Sequence, residues 1–140
     1  MEVALHLLEE KHLEWLIEIR NHQTTRSQLG NDSIFTLKES KEWFKTLESP
    51  WYVILDEDLF QVGYFRTDGD VIGCDIHPDF RRMGYARYAY KKYLEDTDYA
   101  ELFVFQDNHA KKLYEELGFV ETGEYETLRG RQYIKMIYDK

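Results

Sequence analysis

The sequence predicts an α/β fold in which one mixed sheet carries helices on its faces. Three strand-like runs, Trp51–Leu55, Phe60–Arg66 and Val71–Ile76, are joined by short turns, which favour antiparallel neighbours. A strand–helix–strand unit then extends from Val71 to Phe105, and a crossover of this kind places its two strands in parallel. With an N-terminal strand and a C-terminal hairpin, the sheet is predicted to hold about seven strands, mostly antiparallel with a parallel central pair.

The N-terminal part of the chain predicts one strand and two helices. Val3–Leu7 is a short apolar run suited to an edge strand, and apolar residues at helical spacing between Glu10 and Arg20 predict an amphipathic helix. Thr36 and Glu39 have the spacing of a capping box that opens a second helix, which stops before Pro50. The segment between the two helices is polar and rich in turn residues.

The C-terminal part predicts two further helices, so that four helices cover the sheet. One runs from about Ala86 to Leu94, and the other from Ala110 to Leu117, where Gly118 has the position of a C-cap glycine. Between them, Leu102–Phe105 is a continuous apolar run, as expected of a strand covered on both faces. The strands of the predicted hairpin are Phe119–Tyr125 and Gln132–Tyr138.

Composition and charge narrow the class of protein. A chain of 140 residues with 43% hydrophobic content can bury a core and is most simply one domain, residues 1–140. The net charge of −9 argues against a partner nucleic acid held by a broad basic surface. No signal peptide and no apolar run near the ~20 residues of a membrane span is evident. Because Cys74 is the only cysteine, no internal disulfide or typical zinc site is expected, and a cytoplasmic protein without a metal is predicted.

The stretch from Val71 to Ala86 carries the first functional signal. It reads as strand, loop and helix, with the end of the loop serving as the helix N-terminus. The N–H groups in the first turn of a helix lack intrahelical partners and carry the positive end of the helix dipole. Gly84 permits close approach, and Arg81 and Arg82 add positive charge, so this turn is suited to a phosphate.

Two segments together carry a family resemblance. The first, Arg81–Ala86, fits the pattern Arg/Gln-x-x-Gly-x-Gly/Ala through Arg81, Gly84 and Ala86. The second, Asn108–Phe119, matches a later motif through Asn108, Ala110, Tyr114, Gly118 and Phe119. With the predicted order of elements, these segments resemble the GNAT superfamily of acetyl-CoA-dependent N-acetyltransferases, and the resemblance covers essentially the whole chain.

The resemblance implies acetyl-CoA as the cofactor and direct attack by an amine in a ternary complex. The loop before the third helix would hold the pyrophosphate, while the end of the Val71–Ile76 strand and Asn108 would contact the pantetheine arm. Asn108 is also suited to a simple N-cap, and the two roles are compatible. The residues that the resemblance assigns to the cofactor are Ile76, Arg81, Arg82, Met83, Gly84, Tyr85, Ala86 and Asn108.

Tyr114 resembles the general acid that protonates the leaving thiolate. A phenol with a reference pKa of ~10 can donate a proton to a thiolate whose own reference pKa is ~8.5. Tyr114 also lies on the apolar face of its helix, where a tyrosine usually belongs to the core. The general base stays open between Asp70, Asp75, His77 and a water chain, and Asp75 and His77 share one face of their strand. Cys74 is expected to be a packed thiol rather than a nucleophile.

The acceptor is the least defined part of the prediction. The N-terminal half resembles the branch of the family that acetylates amino groups on nucleotide-linked sugars, and relatives acting on protein N-termini, although Ser40 stands where a histidine is frequent. Arg20 or Arg26 can pair with a substrate phosphate, but the negative net charge does not favour an anionic acceptor. A small-molecule primary amine is predicted, with a monomer or homodimer left open. A non-catalytic module that binds acyl-CoA is the alternative.

Overall fold

The computed structural model describes residues 2–31 and 33–140, and within this part of the chain it has seven strands and five α-helices. The strands are β1 (Ala4–Leu7), β2 (Trp51–Leu55), β3 (Gln61–Asp68), β4 (Val71–Ile76), β5 (Tyr99–Phe105), β6 (Val120–Leu128) and β7 (Arg131–Asp139). The helices are α1 (Leu13–Asn21), α2 (Gln23–Arg26), α3 (Leu37–Lys45), α4 (Tyr85–Leu94) and α5 (Ala110–Leu117). No helix in the described ranges has the length and apolar character needed to cross a membrane.

All seven strands form one mixed sheet in the order β1-β2-β3-β4-β5-β7-β6. Neighbours are antiparallel except β4 and β5, which are parallel. The predicted mixed sheet, its parallel central pair and its N-terminal edge strand are therefore confirmed. The short turns after β2 and β3 make antiparallel neighbours, and the α4 crossover makes a parallel pair, as the sequence indicated.

The parallel pair diverges almost as soon as it forms. β4 and β5 pair only at Val71 and Glu101, so the two strands separate toward their C-terminal ends. His77 N–H bonds to Val62 C=O in β3 at 2.8 Å, and the alternating register therefore turns the backbone groups of Cys74 and Ile76 toward β5. The result is a gap in the sheet that is lined by backbone N–H and C=O groups.

Two hydrophobic cores lie on opposite faces of the sheet. On the face covered by α4 and α5, Ile72, Phe65 and Tyr90 pack with the even-numbered side chains of β5. On the face covered by α1 and α3, Leu16, Ile19 and helix-facing strand residues form the second core. The residues buried in this second core are Leu8, Leu13, Leu16, Ile19, Trp51, Val53 and Tyr64.

Local signals in the sequence account for the ends of the helices. Thr36 accepts from the Glu39 N–H at 3.1 Å while Glu39 accepts from the Thr36 N–H at 3.2 Å, so the predicted capping box opens α3. Gly118 ends α5 with a φ of 107°, a left-handed conformation that glycine adopts without a steric penalty. Gly84, with a φ of 87°, is the N-cap of α4.

The structure differs from the predicted elements in several places. β3 continues to Asp68, and β5 begins at Tyr99. The segment Glu10–His12 is a short 3-10 helix rather than the first turn of α1. The polar segment after α1 forms α2, a fifth helix, because its Thr25 side chain is buried against a loop distant in sequence. Phe103 is 40% exposed, so the expectation of a strand covered on both faces is wrong there.

Candidate active site

The gap between β4 and β5 opens into a cavity of about 740 Å³. The loop before α4, the N-terminal half of α5 and the end of α2 close its sides. This volume lies in the range of small-molecule and cofactor sites. Its lining includes Thr24, Thr25, Arg66, Cys74, Asp75, Ile76, Arg81, Arg82, Gly84, Tyr85, Ala86, Phe103, Asn108, Leu113 and Tyr114.

A row of free backbone donors lies where α4 begins. Among the described residues, the N–H groups from Arg82 to Arg87 donate no hydrogen bond, and the first bond of α4 runs from Tyr88 N–H to Gly84 C=O at 3.2 Å. Arg82 and Gly84 both have positive φ, 63° and 87°. Left-handed residues of this kind turn successive N–H groups to one side and form a concave anion site. A bare Cα at Gly84 keeps the backbone approachable.

The two arginines of this loop have different surroundings. Arg81 donates through Nε to the Ile76 carbonyl at 3.1 Å, and through its other nitrogens to the hydroxyls of Thr24 and Thr25, the latter at 2.5 Å. Burial lowers the pKa of Arg81, which indicates a guanidinium partly withdrawn from solvent. Arg81 therefore fastens the loop to α2 while also bordering the cavity, whereas Arg82 is exposed and has no ion pair with a described residue.

Asn108 lies at the opposite side of the cavity, just before α5. Its Oδ1 accepts from the Ala110 N–H at 2.9 Å, so the side chain helps to cap α5. Its Nδ2 has no partner among the described residues, and Asn108 lines the cavity. The capping role thus leaves two amide hydrogens available, which is the compatibility that the sequence suggested.

Tyr114 reaches the cavity from α5 and is paired with a second tyrosine. The Tyr90 hydroxyl of α4 lies 3.5 Å from the Tyr114 hydroxyl and donates to it. Burial, above all, raises the pKa of Tyr114 to about 12, so the phenol is protonated at neutral pH. Burial also raises the pKa of Tyr90. Tyr114 also packs partly against the core. The proposed role as a general acid and the role as a core tyrosine are therefore not exclusive.

Asp75 and Arg66 line the cavity on the α1 face of the sheet. Arg66 Nε lies 3.5 Å from Asp75 Oδ2, with the Asp75 side chain 15% exposed. Asp75 Oδ2 is buried and has no hydrogen-bond partner. The Tyr64 hydroxyl beside it is also unpartnered, and burial, followed by the charge of Asp75, raises the pKa of Tyr64.

The other two candidates for a base lie outside the cavity lining. Asp70 is exposed in the β3–β4 turn, at the closed end of the parallel pair, where its carbonyl accepts from the Glu101 N–H at 2.8 Å. His77 shares a face with Asp75, as predicted, but its ring accepts from the Asp79 N–H at 3.1 Å and lies 3.4 Å from Glu18. His77 therefore caps the short 3-10 helix Pro78–Phe80.

Three further residues singled out in the sequence are Cys74, Arg20 and Arg26. Burial raises the pKa of Cys74, which disfavours the thiolate, and the side chain packs against the core on the α4 face, as expected of a packed cysteine. Arg20 lies over the rings of Phe35 and Trp51, at 4.5 and 5.6 Å from their centroids. Arg26 is the last residue of α2. Among the described residues, no group of three or more His, Cys, Asp or Glu side chains could hold a metal ion.

Sequence reasoning did not identify Arg66, Tyr90 or the threonines of α2 as parts of this site. Arg66 was simply the last residue of a predicted strand, and Tyr90 lay on the apolar face of a helix. Their proximity to Asp75 and Tyr114 depends on strand register and helix packing, which a single sequence does not specify. An arginine at the end of a largely apolar strand is the signal that could have indicated a site here.

The comparisons with known proteins agree with a cofactor site in the cleft between β4 and β5. Residues 24–140 match the family model described as an acetyltransferase (GNAT) domain. The chain therefore belongs to the GNAT acetyltransferase family, as an acyltransferase of a class that uses acetyl-CoA. A comparison with curated protein sequences finds no significant match.

Solved structures share the fold at low sequence identity. Spermidine N-acetyltransferase from Vibrio cholerae, in complex with CoA and spermine, matches with a TM-score of 0.87 and 20% identity over 99% of this chain and 95% of the other. The protein yncA from Salmonella typhimurium, with its cofactor acetyl-CoA, matches with a TM-score of 0.75 and 17% identity over 99% of this chain and 94% of the other. A protein provisionally assigned as a phosphinothricin N-acetyltransferase matches with a TM-score of 0.79 and 22% identity over 99% and 98%.

Proposed function

We propose that residues 1–140 act as one N-acetyltransferase domain that moves an acetyl group from acetyl-CoA to a primary amine of a small molecule. The observation that carries the proposal is the divergence of β4 and β5 after the Val71–Glu101 pair. It opens a cavity of about 740 Å³ between a row of free backbone donors and the Tyr114 hydroxyl.

The residues around the cavity fit coenzyme A. The N–H groups of Arg82 to Ala86 can hold a pyrophosphate, and the exposed Arg82 can add its charge. The inward-facing backbone of Cys74 and Ile76 can pair with the amides of a pantetheine arm, as can the free amide of Asn108. When bound, this cofactor supplies the acetyl group as an activated thioester.

Tyr114 is proposed to serve as the proton donor to the leaving sulfur. Because burial raises its pKa to about 12, the phenol carries its proton throughout the physiological pH range. Tyr90 donates to the Tyr114 oxygen at 3.5 Å and so stabilises the phenolate that forms as the proton departs. Tyr90 is thereby a positioning residue for Tyr114.

Asp75 is proposed as the group that receives the acceptor amine. Of the three side chains considered as bases, Asp75 lines the cavity and its Oδ2 is paired only loosely, at 3.5 Å from Arg66 Nε, whereas His77 is a helix cap and Asp70 lies at the closed end of the strand pair. A carboxylate here can bind an ammonium and accept its proton before attack. We propose an amino sugar or sugar nucleotide as the acceptor, with protein N-termini as the alternative.

The experiment is the release of free thiol from acetyl-CoA in the presence of amine panels. The panels are amino sugars and their nucleotide-linked forms, amino acids, polyamines and short peptides with a free N-terminus. Turnover with at least one small-molecule amine, and product that has gained an acetyl group by mass spectrometry, is expected. Tight CoA binding without turnover on any panel would contradict the enzymatic proposal and favour a non-catalytic acyl-CoA module.

A further inference from the structure

Arg66 is a largely buried guanidinium that makes no hydrogen bond to any described residue. Its side chain is 30% exposed, and its ion pair with Asp75 is 3.5 Å long. A guanidinium has five N–H donors in a planar fork that can bind paired oxygens. Arg66 lines the cavity, so these donors are available to a molecule that enters it.

Gly73 provides the room for this guanidinium. The Arg66 head lies directly across the bare backbone of β4, so that a Cβ at Gly73 would overlap the nitrogens of Arg66. Position 73 is opposite Arg66 in the antiparallel register of β3 and β4. The arginine is therefore held over the sheet at a defined place rather than extended into solvent.

Unpartnered polar atoms converge around Arg66. Within residues 2–31 and 33–140, three buried side-chain polar atoms have no hydrogen-bond partner: Arg20 Nε, the Tyr64 hydroxyl and Asp75 Oδ2. Tyr64 is opposite Asp75 in register, and Arg20 lies over Trp51, whose ring stacks on Tyr64 at 5.5 Å. Asp75 is the member of this group that lines the cavity together with Arg66, so the two side chains can contact the same molecule.

The local charge on this face is positive although the chain as a whole is acidic. Among the described residues, the charged groups that act on the Tyr64 phenol on this face are Arg20, Arg66 and Asp75, two cations and one carboxylate, whereas the net charge of the chain is −9. Exposed charges are screened beyond ~8 Å at physiological salt, so the nearby buried groups determine what binds here. A molecule with a cationic amine alone would meet an excess of positive charge.

We propose that the acceptor amine also carries a carboxylate or phosphate group, and that Arg66 binds this anionic group while Asp75 receives the amine. The inference rests on the proposed function, which it narrows to amines bearing an anionic group. A guanidinium suits both carboxylate and phosphate because its N–H groups match paired oxygens. The negative net charge of the chain, taken alone, did not favour an anionic acceptor.

The test compares kcat/KM for matched acceptors that differ by one anionic group. Glucosamine 6-phosphate against glucosamine tests phosphate, and tyrosine against tyramine tests carboxylate. Wild type is expected to prefer the anionic member of at least one pair by at least ~10-fold, and which pair shows the preference identifies the group. In Arg66→Met, that ratio is expected to fall close to one.

Two further variants separate charge from position. Gly73→Ala keeps the charge of Arg66 but displaces its head, so the ratio is expected to fall here too. Lys92→Met removes an exposed, distant charge and should leave the ratio at its wild-type value. If Arg66→Met lowers kcat/KM equally for both members of each pair, or lowers neither, the ratio is unchanged and the inference is overturned.

Calorimetry separates this inference from the proposed function. With CoA at saturation, the binding of glucosamine 6-phosphate, glucosamine, tyrosine and tyramine is measured for wild type and Arg66→Met. Tighter binding of an anionic member than of its neutral partner, lost in the variant, supports the anion site even if no amine is acetylated. Turnover without any such difference in binding or in kcat/KM overturns the anion site and leaves the proposed function standing.

Discussion

At the α4 end of the cleft, the available donors are backbone N–H groups of Arg82 to Arg87, and side chains contribute little beyond Arg82. At the opposite end, on the α1 face, the polar groups are the side chains of Arg66, Asp75 and Tyr64. Backbone groups are held by the loop and helix that contain them. Side chains are held only by packing against residues that are distant in sequence, so the two ends should respond differently to substitution.

The largest expected effect is at Tyr114, between the two ends. Tyr114→Phe removes the proton donor while preserving the ring, so kcat should fall by about 10²- to 10³-fold with the Kd for CoA nearly unchanged. Steady-state kinetics and calorimetry measure the two quantities. Tyr125→Phe is the control, because that tyrosine is 61% exposed on β6. Equal rates for Tyr114→Phe and wild type would remove Tyr114 from its proposed role.

Next in size is the response of the backbone-built end. Gly84→Val forces a β-branched residue into a φ of 87° and narrows the approach to the free N–H groups. We expect the Kd for CoA to rise by about 10- to 100-fold, measured by calorimetry. Gly123→Val, at a φ of 88° with open space around it on β6, is a matched control for backbone strain. Undiminished affinity in Gly84→Val would contradict the phosphate loop.

A smaller effect is expected at Arg81, which joins the two ends. Arg81→Met removes its hydrogen bonds to Ile76, Thr24 and Thr25 and releases α2 from the loop. The free energy of unfolding should fall by about 2 kcal/mol in urea denaturation. The acceptor KM should rise more than the Kd for CoA, because Thr24 and Thr25 of α2 line the cavity and lose their bonds to Arg81. A rise confined to the CoA constant would mean that Arg81 acts on the phosphate after all.

The smallest effect is expected at Tyr64, whose buried hydroxyl has no partner. Tyr64→Phe should change the free energy of unfolding at pH 7 by no more than ~0.5 kcal/mol, because no hydrogen bond is lost. Burial raises the pKa of Tyr64, so above pH ~10 the unfolded phenol ionises while the folded one stays protonated. Wild-type stability is therefore complete below that pH and decreases as the pH rises.

The alkaline decrease gives the same variant a second readout. Each such phenol contributes a slope of up to ~1.4 kcal/mol per pH unit, so Tyr64→Phe should show a shallower loss of stability between pH 10 and 12 than wild type. Urea denaturation at several pH values measures the slope. Identical slopes would mean that the Tyr64 phenol is not buried as described.

The difference between the two ends also explains how much the sequence could predict. The sheet, its parallel pair and the start of α4 follow from local patterns, because Gly84, Pro78 and the apolar runs act within a few residues of themselves. The motif residues Gly84, Asn108 and Tyr114 all line the cavity, because their positions are also set by patterns within a few residues of the chain. Arg81 shows the limit of such local prediction. The sequence placed it in the motif but did not predict its hydrogen bonds to Thr24 and Thr25 of α2.

The acceptor end could not be predicted in this way. Arg66 and Asp75 meet because β3 and β4 pair in one particular register, and Gly73 matters because of what lies above it. The conformation of α2 depends on Arg81 across 56 residues of sequence. Such contacts are non-local, and no pattern within one segment of the chain encodes them.

Hydrogen exchange of the backbone amides, measured with and without coenzyme A, tests the central claim most directly. Coenzyme A is expected to slow exchange in the loop and first turn at residues 82–87, and at Cys74 and Ile76 where β4 faces the gap. Binding of coenzyme A that protects amides elsewhere and leaves both of these segments exchanging at their free rates would contradict it.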